Sequence, residues 1–148
     1  VSEFDMLKAK AREMAAHIIE RVIEESGMKS MDPGQMEPIL QTLVDEYPYL
    51  QYVYVVNMHG IKITRTICQP VDQAKFANVG IGEDYSDRPW FIAPLKDGKI
   101  HVTDLYSSKH TGALCITLSG PIRNEAGEIR GVLGLDIRFE DLTKSEEE

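Results

Sequence analysis

Pro48 divides the chain into two periodicities, and this change limits the fold more than any other feature. Before it, Phe4, Leu7, Ala11, Met14, Ile18 and Val22 recur in steps of three and four, the stripe of an amphipathic helix. The spacing predicts a helix over residues 2–26, stopped by Gly27 in the left-handed conformation glycine favours. The stripe also approximates a heptad seam, so it serves a core, a dimer or both. A second helix starts at Asp32-Pro33-Gly34-Gln35. Asp32 is the cap, Pro33 takes the first helical position, and Gln35 follows three residues on as in a capping box. This helix runs to about Glu46, with Pro38 near its first turn, where a missing N–H is tolerated.

After Pro48 the pattern becomes that of strands. "QYVYVVNMHGIKITRTIC" is two β-rich runs around Asn57-Met58-His59-Gly60, a hairpin signal. Residues 69–98 hold Pro70, Pro89, Pro94, Gly80, Gly82 and Gly98, with short helical stretches near 72–77 and 88–95. Three more strands follow at about 99–105, 112–122 and 129–138, the last two joined by "RNEAGEI". The expectation is an α+β domain: five antiparallel strands, a long N-terminal helix, and a long loop/helix insertion between strands two and three.

A chain of 148 residues suffices for one domain with its own core. Its net charge of -8, from 16 Lys+Arg against 24 Asp+Glu, argues against nucleic acid as a partner and against an anionic membrane surface. Cys68 and Cys115 fit no metal-ligand spacing and read as small buried hydrophobes. No apolar run approaches the roughly 18 residues of a membrane span, and no signal peptide is visible. The chain opens on Val1, so it is expected to be a processed or excised piece.

Motifs for catalysis are lacking: there is no HExxH, P-loop or GxSxG, and "GIG" at 80–82 is too short for a dinucleotide fingerprint. His17, His59, His101 and His110 are scattered over a helix, a turn, a strand and a loop. No catalytic residue, metal or cofactor is expected. "DYSDRPWF", residues 84–91, is different. Arg88 offers a fork of donors that matches a carboxylate, and Trp90 supplies an indole N–H and a flat wall. The plainer alternative pairs Arg88 with Asp84 or Asp87 and makes Trp90 a plug. Tyr106 ends the third strand. Asp136 lies in the otherwise apolar "GVLGLDIRF", on the face of Gly134 and Arg138 and opposite Leu133, Leu135 and Ile137. A buried carboxylate there needs a partner, either a cationic ligand group or a neighbouring arginine; a solvated sheet face would need none.

Taken together, "YPYLQYVYVVNMHG", "DYSDRPWF" and "VTDLYSSKHTGALCITLSGPIRNEAGEIRGVLGLDI" resemble the Cache, or PDC, sensor domains, extracytoplasmic relatives of the PAS fold. The resemblance covers roughly residues 36–140 and implies a PAS-like core. On it, residues 1–148 are one sensor domain: an N-terminal helix at 1–27, a core at 33–140, and the start of a linker at 141–148. It implies a small-molecule ligand, a carboxylate or an amino acid, held by Arg88, Trp90, Tyr106 and Asp136, with Tyr85, Phe91, Asp104 and Ser108 around them. Arg88 and Trp90 match the family's carboxylate-binding pair, and Asp136 matches its ammonium-binding acid. Two positions depart from the amino-acid-binding pattern: Glu83 stands where a tyrosine is usual, and Ser108 where an aspartate is usual. The balance tilts toward a carboxylate. The resemblance further implies a receptor for chemotaxis or two-component signalling, an extracytoplasmic location, a homodimer through the N-terminal helix, and an output domain and membrane anchor elsewhere in the full protein. The rival expectation is a ligandless dimerisation module of the same fold.

Overall fold

The computed structural model describes residues 3–68, 81–102, 106–107 and 114–138. Three helices precede the strands: α1 (Glu3–Val22), α2 (Ser26–Lys29) and α3 (Pro33–Glu46). The predicted stop at Gly27 is corrected. Helix α1 ends at Val22, and Gly27 lies inside α2. What Gly27 provides is closeness, since a Cβ there would stand 2.6 Å from Ile39 Cδ1 of α3. The residue with positive φ in this stretch is Met31, at 57°. Asp32 does cap α3, its Oδ1 accepting from the Gly34 N–H at 3.1 Å. The reciprocal half of the box does not form as expected. Gln35 Nε2 donates to the Asp32 carboxylate at 3.4 Å, while the Asp32 N–H donates to Ser30 Oγ.

The strands are β1 (Leu50–Asn57), β2 (Ile67–Cys68), β3 (His101–Val102), β4 (Tyr106–Ser107), β5 (Leu114–Arg123) and β6 (Ile129–Arg138). All their pairings are antiparallel, in the order β2-β1-β6-β5-β3. Strand β4 pairs with β5 further along, opposite Cys115 and Leu114. The third strand predicted over 99–105 is seen at His101–Val102, residues 103–105 lie outside the described residues, and Tyr106–Ser107 pairs with the same strand, β5. The predicted helical stretch at 88–95 is α4 (Pro89–Asp97); the one at 72–77 lies outside the described residues.

Helices α1 to α3 cover one face of the sheet. Ala11, Ala15, Ile18, Ile19 and Val22 of α1 join Met28, Met36, Leu40, Leu43 and Val44, and pack on Val53, Val55, Ile116, Leu118, Leu133, Leu135 and Ile137. From Ala11 to Val22 the N-terminal stripe therefore serves the core, with Ile18 only 1% exposed. Close approach of α1 depends on Gly120, where a Cβ would lie 2.7 Å from Ile19 Cγ2.

The other face receives α4 and the segment leading to it. That segment is fastened to the first hairpin by backbone bonds: Lys62 N–H to the Glu83 carbonyl, Gly82 N–H to the Lys62 carbonyl, and Tyr85 N–H to the Gly60 carbonyl at 2.7 Å. Gly60 has φ +83°, and a Cβ on it would meet Ser86 backbone atoms at 2.7 Å. Gly60→Ala combines an unfavourable φ with that collision, so a loss of about 1–3 kcal/mol is expected. Urea unfolding checks it; an unchanged midpoint would show that the segment is not clamped there.

Candidate functional site

Alternation along the strands fixes what the second face presents. Strand β6 turns Val132, Gly134 and Asp136 to it. Opposite them, β1 presents Val56, Tyr54 and Tyr52, and β5 presents Pro121, Ser119 and Thr117. One end is apolar: Val56, Val132 and Phe91 are buried together, with Tyr85, Trp90 and Leu95 packed on them. The other end is polar, and it is buried too.

Asp136 is 6% exposed. Its Oδ1 accepts from Thr117 Oγ1 at 2.8 Å and, more loosely, from the Tyr54 hydroxyl at 3.4 Å. The Tyr54 ring reaches this position because residue 134 is glycine; a Cβ there would be 2.6 Å from Tyr54 Cε2. Lys62 enters from the hairpin, where it bridges Val56. It is 4% exposed. Its Nζ donates to Thr66 Oγ1 and stands 5.8 Å from the centre of the Tyr54 ring. Burial pulls the Lys62 amine down to about 8, while the negative charges of Glu83, Asp136 and Cys68 act in the opposite sense.

The rim comes from the "DYSDRPWF" segment. Arg88 is the N-cap residue of α4 and its side chain is 46% exposed. Its guanidinium lies 5.9 Å from the Tyr85 ring centre, and its Nε is 3.6 Å from Asp87 Oδ1. The segment's other acid, Asp84, accepts from the Ser86 N–H, and Glu83, just before it, accepts from the Tyr85 hydroxyl. Partial burial and the Glu83 charge push the Tyr85 hydroxyl up. Trp90 is the hinge between rim and floor. Its ring tilts against Tyr85 at 5.9 Å and meets Tyr54 edge-on at 5.4 Å, and its carbonyl accepts from Ser119 Oγ at 2.7 Å.

Of the residues predicted from sequence, Tyr85, Arg88, Trp90 and Asp136 thus fall in one region, joined through Tyr54. Phe91 sits below the rim, buried against Val56 and Val132. Tyr106 is in β4 opposite Cys115. Asp104 and Ser108 lie outside the described residues. Three residues of this region were not expected from the sequence: Tyr54, Thr117 and above all Lys62. The signal for Lys62 was the alternation Lys62, Thr64, Thr66, Cys68 against Ile61, Ile63, Arg65, Ile67. Among the described residues no group of three or more His, Cys, Asp or Glu is placed to hold a metal ion. His101 bonds both Asp97 carboxylate oxygens, at 2.9 and 2.8 Å.

Lys62 makes stability depend on pH with a definite sign. Its folded value of about 8 lies below its ordinary 10.5, so between these two values the unfolded chain binds more protons than the folded one. Its contribution to stability therefore rises with pH across that window and is flat below it. Urea midpoints at pH 7 and pH 9.5 should show a larger rise in the wild type than in Lys62→Met. Equal rises would contradict a buried, titrating amine.

Comparison with known proteins agrees with this architecture. A protein of Syntrophus aciditrophicus (strain SB) named Citrate (Re)-synthase is 48% identical over 147 residues, which is 99% of this chain and 23% of that protein. The chain therefore spans about a quarter of that relative's length. The ligand-binding domain of the Campylobacter jejuni chemoreceptor Tlp3, solved with 4-methylisoleucine, superposes with a TM-score of 0.72 at 21% identity, over 95% of this chain and 57% of that one. The extracellular domain of a putative histidine kinase, rpHK1S-Z16, gives a TM-score of 0.70 at 18% identity, over 97% and 57%. Both likenesses are of fold. No helix among the described residues is long and apolar enough to cross a membrane. Residues 36–144 match the family described as "Methyl-accepting chemotaxis protein-like, first PDC sensor domain", and with the antiparallel sheet and its covering helices in place the chain belongs to that family of sensor domains.

Proposed function

We propose that this sensor domain binds a small carboxylate-bearing metabolite, a free acid or an amino acid, between the second face of the sheet and the rim carrying Arg88 and Trp90. It signals by binding, without turnover. One observation carries the reading: a buried polar floor of Asp136, Lys62 and Thr117 lies beneath an arginine and aromatic rim. Burying such groups is costly, and a few convergent polar groups beside aromatic side chains are the usual lining of a small-molecule site. The ligandless alternative would have Arg88 satisfied by Asp87. That contact is long, and its partners are 46% and 84% exposed, so it contributes little.

In this reading the ligand carboxylate takes Arg88 from Asp87 and tightens the hold of the segment 81–98 on the sheet it already covers. A ligand shifts a conformational equilibrium only through its differential affinity for the two states, and a rim tied to one hairpin can differ between them while the floor stays fixed. Strand β6, which carries Asp136, leads directly into the chain beyond Arg138, the exit for the signal. As part of a receptor the domain would lie outside the cytoplasm and pair with a second copy through α1. Such pairing would use the outer side of that helix, where Met6 is 59% exposed, since Ile18 is committed to the core.

The Syntrophus relative favours a second setting. There a module matching 99% of this chain makes up 23% of a protein named as a synthase, so the same domain would regulate a catalytic region in one chain. The site and its ligand chemistry are common to both settings.

A thermal-shift screen of amino acids and small carboxylates tests the reading. A ligand at a hundred times its Kd adds about 2.7 kcal/mol of stability. For the ligand so found, Arg88→Ala should weaken binding by about 1.5–3 kcal/mol, the worth of a charge-assisted hydrogen bond, with the melting temperature of the free protein nearly unchanged. Unaltered affinity in calorimetry would remove Arg88 from the site, and the absence of any shift would favour the ligandless module.

A further inference from the structure

Asp136 is the residue that would receive a ligand's ammonium group, yet the protein already places an ammonium in its field. Lys62 and Asp136 are both almost fully buried, and they meet across one side chain: Lys62 Nζ faces the Tyr54 ring, whose hydroxyl reaches Asp136 Oδ1. Among the groups acting on the Lys62 amine are Glu83, Asp136 and Cys68 by charge, and Thr66 by hydrogen bond. Glu83 is exposed and engaged by the Tyr85 hydroxyl, so solvent screens it. Asp136 is the buried acid, with Thr117 as its neutral donor.

From this arrangement we infer that Lys62 is a specificity determinant: it supplies Asp136 with the protein's own cation, so the site selects carboxylates that carry no ammonium group. The inference rests on the reading of a carboxylate site above and sharpens it. A ligand ammonium near Asp136 would add a second positive charge beside Lys62 inside a largely water-excluded space, where like charges repel far more than in water. A hydroxyl in the same place meets no such penalty and can donate to Asp136. The ligand's carboxylate gains twice, from Arg88 at the rim and from Lys62 at the floor. The class selected is 2-hydroxy and unsubstituted carboxylic acids over α-amino acids.

Two experiments test this. The first needs no ligand: urea unfolding at pH 7 of the wild type, Lys62→Gln, Asp136→Asn and the double variant. Coupled partners are expected to give a double variant destabilised by clearly less than the sum of the singles; additivity would overturn the inference even if carboxylates bind. The second titrates the intact domain with matched pairs, malate against aspartate and 2-hydroxyisovalerate against valine, by calorimetry. The wild type should prefer the hydroxy acid of the pair it binds by about tenfold or more, and Lys62→Met should erase or reverse that preference. Binding of the hydroxy acid at pH 8.5 should also take up protons, seen as a buffer-dependent heat that Lys62→Met lacks. A wild type that prefers the amino acid, with binding still lost in Arg88→Ala, would overturn the role of Lys62 and leave the carboxylate site standing. Binding of none of the four acids would count against the site itself.

Discussion

Strand β6 is paired along its length, to β1 on one side and β5 on the other, and the rest of the molecule is arranged around it. Pairing satisfies its edges, while α1 to α3 cover one of its faces and α4 with its leading segment the other, so the buried residues from Gly131 to Ile137 must be matched from above or below. On one face Leu133, Leu135 and Ile137 are matched by apolar helices, and burial of that area drives folding. On the other face stands Asp136, which no apolar layer could cover at an acceptable free energy. Thr117, Tyr54 and the charge of Lys62 answer it. The candidate site follows from one carboxylate in a central strand.

The two layers differ in how they are held. The helical layer is close-packed, with Gly27 and Gly120 letting α2 and α1 approach where any side chain would collide. The rim is held by a few backbone bonds to the hairpin, by the Trp90 ring against Tyr54, and by the Ser119 bond to the Trp90 carbonyl. Such a layer can open at lower cost than the core. Trp90 is the single tryptophan of the chain and touches both rim and floor, so its environment reports on both.

Most of the fold was legible in the sequence because period and punctuation agreed. The change at Pro48, the Asn57–Gly60 turn and the "RNEAGEI" turn each marked a real boundary. What was misread depended on contacts between segments. Gly27 looked like a helix stop, yet its role is room for Ile39. The capping box looked complete, yet Ser30 takes the Asp32 N–H. In the candidate site, Asp136 and Arg88 stood out in the sequence because a charge in an apolar strand and a bidentate donor beside tryptophan both ask for a partner. Lys62 was not, because a lysine in a hairpin reads as solvated unless its alternation with Thr64, Thr66 and Cys68 is weighed. Its burial follows from the Gly82–Tyr85 segment closing over the hairpin, a long-range pairing that local pattern does not contain.

The central claim is that one face of the sheet, floored by Asp136 and Lys62 and rimmed by Arg88 and Trp90, receives the ligand. Heteronuclear NMR of the isotope-labelled domain during titration with a 2-hydroxy acid tests it most directly. The account predicts that the Trp90 indole N–H signal, the Lys62 side-chain signals and the amides of 82–90, 117 and 134–136 move together with one Kd, while α1 and α3 stay still. Movement confined to the helical face, or a Trp90 indole signal that stays fixed as other signals saturate, would contradict it.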